Sequence, residues 1–156
     1  MRDRQAAVGE LGAALQRYQR ANQAFDDAVG ELLGLGPADR RCLDWLTGGP
    51  LTAGELSRAT GLRPAATTSL IDRLEARGYV RRVRSETDRR RVLVELTPEG
   101  RDRIGELYGP LVEEGQRLLG GFSVDELDRV RDLLDGIREV TDRHTEALRS
   151  RRSPRR

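Results

Sequence analysis

Asp88-Arg89-Arg90-Arg91 is the most chemically pointed stretch of this 156-residue chain: three guanidiniums directly behind a carboxylate, followed by the alternating run Val92-Leu93-Val94-Glu95-Leu96. A guanidinium is planar, permanently charged and forked. It bonds phosphate oxygens in pairs and fits the narrow minor groove of A·T-rich duplex, where negative potential is focused. Alone, such a run is more often a solvated face. Here a short helix-turn-helix pattern precedes it, and a basic hairpin beside a small helix is an apparatus for gripping a DNA duplex.

The charge distribution agrees. All 28 basic residues are Arg, and the formal net charge is only +2. Residues 63–91 nevertheless hold nine arginines against four acids, while 92–148 hold seven against fourteen and the tail 149–156 five against none. A basic segment beside an acidic one is the polarity of a protein that turns one face to phosphates. Catalysis finds no foothold. There is one His and one Cys, with no glycine-rich phosphate loop and no set of residues suited to be nucleophile and base. Cys42 lies in an apolar pattern and reads as a small buried side chain, and His144 as structural or solvated. No metal site or cofactor is expected. No apolar run reaches bilayer length and the start reads as no signal peptide, so a cytoplasmic location is expected.

The elements that must position the arginines follow from periodicity and punctuation. Val8, Leu11, Leu15, Tyr18, Asn22, Phe25, Val29 and Leu32 form a three-four stripe, broken only by Asn22, which predicts one long helix with a narrow seam. A short helix from Pro37 points Ala38, Cys42, Leu43 and Leu46 inward. Thr52-Ala53-Gly54-Glu55 is a capping box opening a helix over about 53–59, and Gly61 supplies the turn. Pro64 starts the next helix, with Ala66, Leu70, Ile71 and Leu74 inward and Arg63, Ala65, Thr68, Ser69, Asp72 and Arg73 elsewhere. Strands are expected at 79–84 and 91–96, joined by a projecting loop because no two-residue turn sequence is present. A long helix after Pro98, kinked at Pro110, and a last one opened by the Ser123–Glu126 box complete the chain. The tail RSRRSPRR is expected to be disordered.

This order of elements, and above all GPLTAGELSRATGLRPAATTSLIDRLEARGYVRRVRSETDRRRVLVELTPEG at 49–100, resembles the MarR family of winged helix-turn-helix transcription regulators over nearly the whole chain. The resemblance implies a mainly α fold with a small β-hairpin: a winged helix-turn-helix lobe at about 37–97, and dimerisation helices at about 3–33 and 98–148. It implies that helix 64–77 enters the major groove, that Arg90 is the minor-groove arginine of the wing, and that Asp88 holds it in place. The chain departs from the family in having Pro64, Ala65, Ala66 and Ser69 where polar or basic residues are frequent. Thr68, Ser69 and Arg73 remain as polar readers, with Arg63 at the helix entrance. Arg81, Arg82, Arg84, Arg89 and Arg91 suit phosphates.

The resulting expectation is a homodimeric, sequence-specific DNA-binding regulator, a ligand-responsive repressor on a pseudo-palindromic operator. The alternative is a nonspecific or architectural DNA binder, which an alanine-rich recognition helix keeps open. The family pattern implies a small aromatic or phenolic effector. Tyr18, Asn22, Trp45 and Tyr108 lie on elements that could border its crevice, with core packing as their other role.

Overall fold

The computed structural model describes residues 3–88 and 90–152, and its contacts divide the chain into two units, 1–107 and 108–156. In the first unit the order is α1 (Arg4–Leu33), α2 (Pro37–Thr47), β1 (Leu51–Thr52), α3 (Ala53–Thr60), α4 (Pro64–Ala76), β2 (Val80–Arg84) and β3 (Val92–Leu96), then the start of α5 (Pro98–Leu119). The rest of α5 and α6 (Val124–Arg152) make up the second.

Helix starts are chemically fixed. The Thr52 hydroxyl accepts from the Glu55 N–H at 3.2 Å, and the Glu55 carboxylate accepts the Thr52 N–H at 2.7 Å, so the anticipated box opens α3. Asp39 does the same for α2, taking the Gly36 N–H at 3.0 Å beside Pro37. Gly61, at φ +73°, makes the left-handed turn between α3 and α4 that a β-carbon would oppose.

The core of this unit is aliphatic. Leu43 and Leu46 of α2, Leu56 of α3, Leu70, Ile71 and Leu74 of α4, and Val80, Val94 and Leu96 of the strands are buried together with Leu35, Cys42 and Tyr79. The inward stripe of α4 passes through Thr67, not Ala66 as the sequence suggested. Thr67 is 1% exposed and Ala66 is exposed. Positions 67, 70, 71 and 74 keep helical spacing, and Thr67 can be buried because its hydroxyl donates to the Arg63 carbonyl at 3.1 Å.

The expected hairpin is part of a three-stranded antiparallel sheet ordered β1-β3-β2. β1 went unanticipated because it is two residues long; Leu51 and Thr52 pair with Val94 and Leu93. In the β2–β3 pair Arg84 stands opposite Val92, Arg82 opposite Val94 and Arg81 opposite Glu95. Gly100 carries the first turn of α5 against Tyr79. A β-carbon there would lie 2.4 Å from the Tyr79 carbonyl oxygen, so only glycine fits.

In the second unit α5 continues without a break through Pro110, and α6 extends to Arg152. Residues 149–152 are therefore helical where disorder was expected, since the α6 ladder continues into the basic tail. Positions 153–156 lie outside the described residues. One side of α6 is an ion ladder, with Arg131 bonded to Asp128 and Asp132, and Arg138 to Asp142. Its apolar residues, Val130, Leu134, Ile137 and Val140 among them, are exposed, as are Val8, Leu11 and Tyr18 of α1.

Candidate nucleic-acid interface

β2 carries Arg82 and Arg84 on the sheet face that α4 covers, as shown by the bonds from Arg82 to Asp72 and Glu75. The wing loop 85–91 extends beyond the end of that strand. The loop is closed by its own polar residues. Ser85 is buried; its N–H donates to the Arg91 carbonyl at 3.0 Å, and its hydroxyl accepts the Asp88 N–H at 3.3 Å. Asp88 then accepts the Arg90 N–H through Oδ1 at 3.0 Å, and its carbonyl accepts from Arg91 at 2.9 Å. Asp88 thus orients Arg90 through the backbone, an Asx turn at the tip, and leaves the guanidinium exposed.

The arginines of 63–91 divide sharply by partner. Arg82 bridges two carboxylates of α4, Asp72 at 2.5 Å and Glu75 closer still. Its pKa is raised above the ordinary arginine value, first by the Asp72 hydrogen bond. Without Arg82 those two carboxylates would be left unneutralised. Arg73 is held by Asp39 at 2.5 Å, the acid being 5% exposed. Arg77 donates to the Gly34 and Leu33 carbonyls at 2.6 and 2.5 Å, closing the C-terminus of α1, while its guanidinium lies 5.5 Å from the centre of the Tyr79 ring. Arg81 pairs with Glu95 and Arg91 with Glu55, both in half-exposed geometry. Such pairs are worth about 0.2–1 kcal/mol, weak enough for a phosphate to displace. Arg63, Arg84 and Arg90 are exposed and have no acidic partner among the described residues. Arg89 lies outside the described residues.

Two arginines named from the sequence, Arg82 as a phosphate candidate and Arg73 as a base-reading candidate, have carboxylate partners inside the fold. Arg82 and Arg73 are internal ties, and Arg81 and Arg91 are engaged. The sequence read Glu55 only as a helix cap; its carboxyl is held below its ordinary value, first by the Thr52 N–H it accepts, then by the Thr52 hydroxyl. Besides capping α3, Glu55 anchors the wing base through Arg91. Ser85 was missed, although its spacing to Asp88 is that of a hydroxyl accepting an i+3 N–H.

On α4, Ala65, Thr68 and Ser69 are exposed on one face, as expected. The Thr68 and Ser69 hydroxyls donate to the Pro64 and Ala65 carbonyls, each at 3.1 Å. Of the proposed effector residues, Tyr18 and Asn22 are exposed, Trp45 is 50% exposed and Tyr108 is half-buried, so the first three are not core. A cavity of about 440 Å³ over Leu46, Pro50 and Leu96, rimmed by Arg81 and Arg101, contains none of these four. Cys42 is buried and its thiol is pushed up to about 11, chiefly by desolvation. His144 is exposed. Among the described residues no group of side chains could hold a metal ion, and no helix is long and apolar enough to cross a membrane.

A capped helix pair, a turn at Gly61, a helix with a small polar outer face and an arginine-tipped wing beside it define a winged helix-turn-helix DNA-binding transcriptional regulator. The comparisons with known proteins specify it further. The MarR family profile matches residues 33–91. The chain is 35% identical over 126 residues to the uncharacterised HTH-type transcriptional regulator YcgE of Bacillus subtilis, an alignment covering 80% of this chain and 82% of that one. A MarR family protein from Bacillus stearothermophilus superposes with a TM-score of 0.62 at 29% identity, covering 90% of this chain and 99% of that one. The transcriptional regulator BldR of Sulfolobus solfataricus gives 0.54 at 27%, covering 92% and 99%. This chain belongs to the MarR family.

Proposed function

We infer that the protein acts as a cytoplasmic homodimer that binds a pseudo-palindromic operator, with α4 in the major groove, Arg90 in the minor groove, and repression relieved by a small aromatic or phenolic ligand. The observation that carries this reading is the pairing of an Asp88-ordered wing tip with the unpaired Arg84 on the α4 side of the sheet. Two-fold symmetry would set the two α4 helices about one duplex turn apart.

Dimerisation is supported by what the single chain leaves uncovered. Leu118, Leu119, Val130, Leu134 and Ile137 of the second unit are exposed, and so are Val8, Leu11 and Tyr18 of α1. Apolar stripes of that extent on helices demand a partner surface. Sedimentation at micromolar concentration should give a dimer, and selection of fragments from the source genome should yield one inverted repeat preferred over random DNA by about a thousandfold or more. A monomer, or equal affinity for every sequence, would refute it, and the second outcome would favour the architectural alternative. The effector part rests on the family pattern. Tyr18, Asn22, Trp45 and Tyr108 are its proposed contacts, and quenching of Trp45, the only tryptophan, provides the screen.

A further inference from the structure

The outer face of α4 is short of hydrogen-bond donors, and this limits which bases it can read. Ala65 offers only a methyl group, and so does Ala66, which the fold turns outward. Thr68 and Ser69 donate their hydroxyl protons to the Pro64 and Ala65 carbonyls, which leaves their oxygens as acceptors on the outer face. Turning the Thr68 hydroxyl back to its own helix leaves its γ-methyl as the outward group. Arg73, the one long donor within Pro64–Ala76 that could fork onto a guanine, is held by the buried carboxylate of Asp39, which leaves Arg63, at the N-cap beyond this face, as the free arginine of the helix and a phosphate contact in this reading. Asp72 is an acceptor already bonded to Arg82.

Base edges sort cleanly against such a face. In a G·C pair guanine shows two acceptors, which need a forked donor, and cytosine shows an N4 donor with no methyl beside it. An A·T pair shows the adenine N6 donor and the thymine 5-methyl, which match an acceptor oxygen and a small apolar side chain. The small size of Ala65, Ala66 and Ser69 also lets the helix backbone approach the groove floor. We propose that α4 reads thymine methyl groups, with Ala65, Ala66 and Thr68 as the specificity-determining residues and the Ser69 oxygen accepting from adenine N6. Each half-site is then centred on A·T pairs read in the major groove, not on guanines.

This rests on the operator reading above, and the experiment keeps the two apart because it begins from whatever inverted repeat genomic selection returns. In that duplex each thymine is replaced by deoxyuridine, which removes only the 5-methyl, and each guanine by 7-deazaguanine, which removes only N7. Affinity of the full-length wild-type protein is measured for each. One or two thymines per half-site should matter, at roughly fourfold for each methyl lost and on the order of 15-fold when both half-sites are changed. Replacing such a T·A pair by C·G should weaken binding, and 5-methylcytosine at that position should recover part of the loss. In Thr68→Ser, which keeps the hydroxyl and loses the methyl, the deoxyuridine effect at one of these positions should shrink. If a specific operator is found and every deoxyuridine is silent, or 7-deazaguanine within the half-sites costs as much, methyl readout is overturned while operator binding stands. If selection returns no preferred sequence, operator binding itself fails.

Discussion

Because each phosphate neutralised on B-DNA releases condensed counterions, the logarithm of the binding constant falls with the logarithm of salt at about 0.9 per contact. The partner assignments above turn this into a residue-by-residue expectation. Counting every arginine suited to phosphate, about four to six per subunit, would give a dimer slope on the order of −7 to −11. Arg63, Arg84 and Arg90 are exposed with no acidic partner among the described residues; one counterion site for each, the minor-groove Arg90 included, gives about −5.4. Affinity should then fall about two-thousandfold between roughly 50 and 200 mM salt. Arg84→Ala changes both subunits and should flatten the slope by about 1.8, cutting the loss over that range to roughly 150-fold. Arg82→Ala should behave differently. Arg82 ties β2 to α4 through Asp72 and Glu75, so its loss misplaces the helix and weakens binding at every salt concentration, with a smaller change of slope than Arg84→Ala. Fluorescence anisotropy of a labelled operator at a series of salt concentrations measures both quantities. Equal flattening by Arg82→Ala and Arg84→Ala would show that the internal pairs open on DNA, and the division into struts and contacts would be wrong.

Further outcomes follow from single sites. Gly100→Ala places a methyl against the Tyr79 carbonyl and should cost about 1–3 kcal/mol, read as a lower melting temperature at fixed protein concentration; no change would mean that α5 shifts freely. Asp39→Ala removes both the Gly36 cap and the Arg73 tie, for about 1–3 kcal/mol by chemical denaturation. Cys42, with its thiol raised to about 11, should resist a thiol reagent at pH 8 in the native protein and react on unfolding; rapid native labelling would contradict the burial. Glu55 has a depressed folded pKa, so its contribution is complete above its unfolded value near 4.5 and lost as pH falls through the lower folded value. Acid titration should therefore loosen the start of α3 and the wing base in the parent, and the component due to this group should vanish in Glu55→Gln.

The sequence made the element order legible because its signals were local: Thr52 with Glu55, Pro64 at a helix start, and alternation from Val92 to Leu96 all act within a few residues. On α4 the buried Leu70, Ile71 and Leu74 were read correctly and only the first-turn residue was misassigned, since alanine reads as apolar and threonine as polar although burial of Thr67 requires only one carbonyl four residues back. β1 was invisible because two residues carry no periodicity, and its pairing with β3 is a long-range fact. The same limit governed the site. Composition showed that 63–91 is basic, but which arginines are free depends on Asp39, Glu55 and Glu95, which stand near them only after folding.

Those partnerships also explain how so donor-poor a helix can be placed accurately. Ties concentrate in the C-terminal half of α4: Arg73 to Asp39, Asp72 and Glu75 to Arg82, and Arg77 to the carbonyls that end α1. They fix the helix to α2, to β2 and to the end of α1, while Leu70, Ile71 and Leu74 fill the core behind it. The N-terminal half, Pro64 to Ser69, carries small side chains whose polar hydrogens are satisfied within the helix. Small readers tolerate little error, because a methyl contact decays within about an ångström of its optimum. A recognition surface of the proposed kind works only on a rigid mount, and the internally tied Arg73, Arg77 and Arg82 supply that mount.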